Sequence, residues 1–337
     1  MKRVARGACP PDGFRKTVRS LALALLLLLA PRAALAHDGP PPEPHNIWTA
    51  WSAEPLILAA LLLSFALFMA GVWRVWKQAG VGRGVTAGQV AAFGAAWVTL
   101  WFALVSPLDA LSTALFSAHM AQHLLLILVA APLFVLARPL AAFAWGLPLR
   151  PRMALARSPL VHRAARGLRW LALPAVAWTL HALTLWAWHA PALYEWALES
   201  DFAHSLEHAA FFGTALLFWS AVFRPAGQGL GYAAAILYVF TMGLQSALLG
   251  ALITFASMPW YATYATTTAA WGLSPLEDQQ LAGAVMWAPA GIVYVVVVVA
   301  LMTAALRDIE RRTEEREARP EGSPRPARSE VEGKAAS

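Results

Sequence analysis

The chain has 337 residues, 59% of them apolar and only 13% charged, with a mean hydropathy of +0.54. That composition excludes an ordinary soluble domain and makes lipid the solvent for most of the surface. A net charge of +7 and a pI near 10.0 would suit a nucleic-acid binder, but the positions of the charges give them another meaning and exclude nucleic acid as a partner.

Residues 1–36 read as a cleaved signal peptide. Lys2, Arg3, Arg6, Arg15, Lys16 and Arg19 form a basic leader, the apolar run 21–30 follows, and Ala34-Leu35-Ala36 supplies the small-residue cleavage site. The run is too short to span a hydrocarbon core of about 30 Å. Cleavage after Ala36 leaves a chain that begins His37-Asp38-Gly39 and contains no cysteine, because Cys9 lies in the leader. Thiolate metal transfer and cysteine nucleophiles are then excluded.

Residues 37–54 form an extracytoplasmic segment kept extended by Pro40, Pro41, Pro42 and Pro44. The region 55–306 reads as an all-α bundle of seven transmembrane helices at 55–76, 89–105, 113–136, 171–189, 203–223, 230–255 and 281–306. Each has the length of about 17 to 25 residues that a crossing needs. Beyond residue 36 all 19 Lys and Arg fall in four segments, around 74–83, 138–169, 224 and 307–337, which hold 3, 7, 1 and 8. Basic residues stay on the cytoplasmic side, so the N-terminus is expected outside and the C-terminus inside, in a bacterial inner membrane. The tail 307–337 carries eight basic and eight acidic residues and reads as a helical extension passing into disorder.

Histidines carry the chemistry. His119 and His123 are four apart in Ser117-Ala118-His119-Met120-Ala121-Gln122-His123, and His204 and His208 repeat that spacing in Asp201-Phe202-Ala203-His204-Ser205-Leu206-Glu207-His208. Residues i and i+4 share a helix face, so each pair can aim two imidazoles at one centre. His189 closes the fourth span at the same outer face, with His181 two turns below it. A single intramembrane histidine often does no more than bond another helix, but two matched pairs with His189 point to a metal, and neutral imidazole is its commonest ligand. Without thiolates the set suits copper, with zinc or iron open on ligand type alone, and Met120, Met242 and Met286 are possible soft ligands.

Glu207, Asp109, Glu277 and Asp278 are the acidic groups expected to attract the cation or orient ligand rings. His37, with its ring and new α-amino group, and His45 form a possible N-terminal copper site. Trp260, Tyr261 and Trp271 are expected as interfacial anchors.

Ser106-Pro107-Leu108-Asp109, His119-Met120-x-x-His123, Trp188-His189-x-Pro191, His204-x-x-Glu207-His208, Pro259-Trp260-Tyr261 and Leu276-Glu277-Asp278-Gln279-Gln280 follow one another in a recognisable order. Over about residues 48–306 the chain resembles the CtaG family of cytochrome c oxidase assembly factors, of the polytopic membrane type. The resemblance implies a non-enzymatic role in maturing a haem-copper oxidase, with an oxidase subunit and a copper donor as partners. The alternatives are a haem-bearing electron-transfer protein, because facing histidines on two helices can ligate iron axially, and a copper permease.

Overall fold

The computed structural model describes residues 41–52, 54–224 and 229–318. The expected signal peptide, His37 and the end of the tail lie outside these residues. Every regular element among them is helical: α1 (Pro55–Ala79), α2 (Ala87–Val105), α3 (Pro107–Ser112), α4 (Phe116–Ala137), α5 (Pro139–Gly146), α6 (Leu149–Arg157), α7 (Pro159–Leu171), α8 (Pro174–Trp188), α9 (Pro191–Glu199), α10 (Asp201–Val222), α11 (Tyr232–Thr254) and α12 (Pro275–Glu317).

Helix starts follow from local chemistry. Thr86 and Gln89 cap α2 reciprocally, and the Ser106 hydroxyl accepts from the Leu108 N–H while Pro107 opens α3. Ser274 and Glu277 form the same reciprocal cap before α12. Gly80, at φ +95°, ends α1 in a conformation that an L side chain resists.

Five helices are long and apolar enough to cross a membrane: α1, α2, α4, α11 and α12. A sixth is reached if α7 and α8, which meet at 79°, are taken as one broken span. The 22-residue α10 falls outside that set. Its first eight residues include Asp201, His204, Glu207 and His208, which lower the hydropathy where the expected fifth crossing begins.

The loop expected at 138–169 is folded into α5, α6 and α7. Helix α5 packs back against α1 at backbone distance. A Cβ on Gly71 would stand 1.8 Å from the Ala142 carbonyl oxygen, and one on Gly146 would stand 2.1 Å from that of Leu67. Arg74 then donates to the carbonyls of Trp145, Gly146 and Leu147, covering the end of α5 with the charge its dipole favours.

Helix α4 is not uniform. After His123 it passes through a π-helical turn over Leu125–Ala130 and resumes over Ala131–Ala137. Pro132 has no N–H, so the regular ladder cannot close at that point. Trp219 of α10 donates its indole N–H to the Ile127 carbonyl at 2.8 Å, tying together the two helices that carry the paired histidines. The largest core cluster joins α4, α8, α9, α10, α11 and α12, with Trp219, Phe211, Phe218 and Met242 completely buried.

Candidate metal centre

The histidines gather where α4, α10 and α12 begin and α8 ends. His119 and His123 lie one turn apart on α4, with Nε2 atoms 2.9 Å from each other. Opposite them, α10 presents Glu207, whose Oε2 is 3.3 Å from His119 Nε2 and whose Oε1 is 3.8 Å from His123 Nε2. His208 completes a group with His119, His123 and Glu207 whose ligand atoms all lie within 4.8 Å of one another. All four residues are buried.

His204 packs its ring 4.2 Å from that of His208 and 5.3 Å from that of His119, centroid to centroid. With Asp109 and His208 it forms a second group of the same compactness. His189 stands on the other side, its ring 6.3 Å from that of His123 and its Nε2 3.2 Å from Met120 Sδ.

Each element is pinned by contacts made outside the His119–His123–Glu207–His208 group. Asp278 of α12 accepts from the backbone N–H groups of Phe116 and Ser117 and from the Ser117 hydroxyl, at 2.6, 3.2 and 2.5 Å. These donors belong to the first turn of α4, so Asp278 is the cap that α4 cannot find in its own sequence. Gln122, between the two α4 histidines, donates to the Ala103 carbonyl and to Asp109 Oδ1, and Asp109 also accepts from Ser52. Nδ1 of His189 contacts the Leu185 carbonyl at 2.6 Å, and the His189 carbonyl accepts from the Tyr261 hydroxyl at 2.8 Å.

A lid of aromatic rings covers the group. Phe116 lies against Tyr194, Tyr261 and Tyr264 at centroid separations of 5.1, 4.6 and 5.8 Å. Tyr194 donates to Tyr264, which donates to the Ser112 carbonyl. Burial raises all three phenols above the ordinary tyrosine range, so the lid stays neutral. The expectation of Tyr261 as an interfacial anchor is corrected accordingly: it is 3% exposed and braces the end of α8. Trp260 and Trp271 are half-buried.

Of the residues singled out from sequence, His119, His123, His204, Glu207, His208, Asp109, His189 and Met120 come together. His181 does not join them. It is buried, but its Nδ1 donates to Thr214 Oγ1 at 2.9 Å, the interhelical bond that a lone histidine commonly makes. Glu277 is exposed and engaged with Ser274, so it serves its own helix start. His45 stands in the exposed N-terminal segment against Glu43 at 3.3 Å. Glu207 is placed inside the group, as a candidate ligand more than an orienting neighbour. Sequence reasoning missed Gln122, Tyr194 and Tyr264; only the position of Gln122 between two histidines offered a local signal.

The donor set suits an ion. Both carboxylate oxygens of Glu207 are buried without a hydrogen-bond partner, and such a group in the interior is satisfied either by a proton or by a cation shared with the neighbouring imidazoles. Three imidazoles and one carboxylate at this spacing can supply four ligands to one metal.

A family model described as cytochrome c oxidase caa3 assembly factor matches residues 66–308. The chain is similar to uncharacterized proteins of Mycobacterium bovis and Mycobacterium tuberculosis, each 28% identical over 297 residues, 83% of this chain and 42% of theirs. A Mycobacterium leprae protein, also uncharacterized, is 25% identical over 283 residues, 80% of this chain and 42% of its own length. The chain thus spans less than half the length of the curated relatives it matches. No solved structure matches it.

Proposed function

This chain belongs to the cytochrome c oxidase caa3 assembly factor family, and we propose that it serves assembly by holding copper as cargo between α4 and α10 and passing it to a haem-copper oxidase subunit. One observation carries the reading: His119, His123, Glu207 and His208 bring four ligand atoms within 4.8 Å of one another in a buried place. Intramembrane ionisable groups are costly, and a bundle built only to be stable has no use for them. Imidazole and carboxylate without thiolate hold copper loosely enough to give it up.

In this reading the chain crosses the bacterial inner membrane seven times, with α10 as a crossing despite its polar start. The histidine end faces outward and the basic segments face the cytoplasm. His37 and His45, in the N-terminal segment of the sequence, are the proposed place of first contact with a copper donor. The role is assembly, without catalysis. An ion also fits this packing better than a haem, since the Nε2 atoms of His119 and His123 stand 2.9 Å apart with Glu207 3.3 Å from the first, inside the space a porphyrin ring would need.

Copper content of the purified protein tests the reading. The wild type is expected to retain copper through gel filtration, and His119→Ala and His208→Ala to retain less. Equal copper in all three would refute it.

A further inference from the structure

Beside the His119–His123–Glu207–His208 group lie buried ligand types which that group does not use. We propose that Met120, His189 and Met286 form a second, soft ion position, selective for a monovalent cation such as Cu(I), and that His123 links it to the first. The linkage, though not the position itself, rests on the reading of the histidine group as a metal site.

The argument begins with the protons of His189. Its Nδ1 lies 2.6 Å from the Leu185 carbonyl, which can only accept, so Nδ1 carries the proton. The neutral ring then presents a lone pair at Nε2, the tautomer that metal-binding histidines adopt when the other nitrogen is held by a carbonyl. What faces that lone pair, at 3.2 Å, is Met120 Sδ, a thioether with no proton to give. Two acceptors are aimed at each other in a buried place. A protonated ring would relieve the mismatch only by placing a charge against sulfur and apolar side chains. A shared soft cation relieves it by binding both.

Space and chemistry agree. A cavity of ≈20 Å³ is lined by Met120, His123, His189 and Met286, with apolar residues such as Ile127 and Leu185 making up much of the rest. That is room for one particle the size of a water molecule. Thioether donors select Cu(I), whereas the imidazole and carboxylate set of the first group also accepts divalent ions. His123 belongs to both places: its Nε2 is 2.9 Å from that of His119, and it lines the cavity. Movement of Cu(I) between the two is ligand exchange at a constant oxidation state, in which imidazole and thioether replace imidazole and carboxylate and no electron is transferred.

The test uses the full chain in detergent, with Ag(I) as a redox-inert soft probe and Zn(II) as the divalent counter-probe, both followed by equilibrium dialysis. The wild type is expected to bind one more Ag(I) than the Met120→Leu/Met286→Leu variant, with Zn(II) binding the same in both. His119→Ala is expected to lose Zn(II) and keep the methionine-dependent Ag(I). X-ray absorption of the Cu(I)-loaded wild type should show a sulfur shell that the double variant lacks. Equal Ag(I) in wild type and double variant, or no sulfur shell in the wild type, overturns the soft position. Methionine-dependent Ag(I) without any Zn(II) binding in the wild type would leave this position standing and remove the first group. If the double variant aggregates, the sulfur shell of the wild type decides alone.

Discussion

Where α4 and α10 begin, His119, His123, Glu207 and His208 are buried under a lid of phenols, and no Lys or Arg lies in the neighbouring sequence. At the opposite end Arg157, Arg163, Arg166 and Arg169 stand exposed on α6 and α7, while Arg74 and Arg224 reach back to close helix ends. Both ends are rich in polar groups, but they hold them differently. The basic end leaves its charges exposed, or spends them on backbone carbonyls. The histidine end takes its polar groups out of solvent and meets them mostly with one another. The first arrangement serves the fold. The second costs stability, and its reason has to be sought in chemistry.

If that contrast is right, damage at the basic end is damage to folding. Gly71 and Gly146 let α1 and α5 touch backbone to backbone, and a Cβ at either would lie about 2 Å from a carbonyl oxygen. Gly71→Leu is therefore expected to cost about 3 kcal/mol or more, at the upper end of overpacking effects. Thermal melting in detergent should show a lower midpoint and a poor yield, with copper per folded molecule unchanged. A Gly71→Leu protein that melts like wild type would show that the α1–α5 contact can move aside.

At the histidine end the sign reverses. Glu207 buries a carboxylate whose oxygens have no hydrogen-bond partner, and a buried polar group left so costs about 1 to 3 kcal/mol, a cost that an apolar side chain of similar volume removes. Glu207→Leu should raise the melting point of the metal-free protein by an amount in that range while abolishing the copper held by the histidine group, and with it oxidase maturation. A fall in stability would mean that the carboxylate is held by its imidazole neighbours well enough to count as structure, and the contrast between the two ends would weaken.

The sequence made part of this site legible because the helix has a fixed period. Four-residue spacing alone put His119 with His123 and His204 with His208 on common faces, and charge segregation put both pairs at one end. Three features escaped for physical reasons. The short helices α5, α6 and α7 each open on or just after a proline and are too short to register as spans, so their stretch reads as a loop. The partner of His181 is Thr214, 33 residues away, and no local period encodes that bond. The buried phenol of Tyr261 has the composition of an interfacial anchor, and only tertiary contact distinguishes the two.

Asp278 joins both lessons, because its acidic charge was visible from sequence while its work was not. It lies 161 residues from Ser117, yet its carboxylate closes the first turn of the helix that carries His119 and His123. A cap of this kind contributes about 1 to 2 kcal/mol. Asp278→Asn keeps one acceptor oxygen but loses the charge and one or two of the three bonds, so its melting point should fall less than that of Asp278→Ala. Because α4 is also held by Gln122 and Trp219, the helix should remain formed in both variants, with its first turn loosened. Copper affinity should then weaken severalfold without vanishing, in the order wild type, Asn, Ala, as measured by competition with a chromophoric chelator. Unchanged affinity alongside a lowered melting point would separate the cap from the metal site and confine Asp278 to the fold.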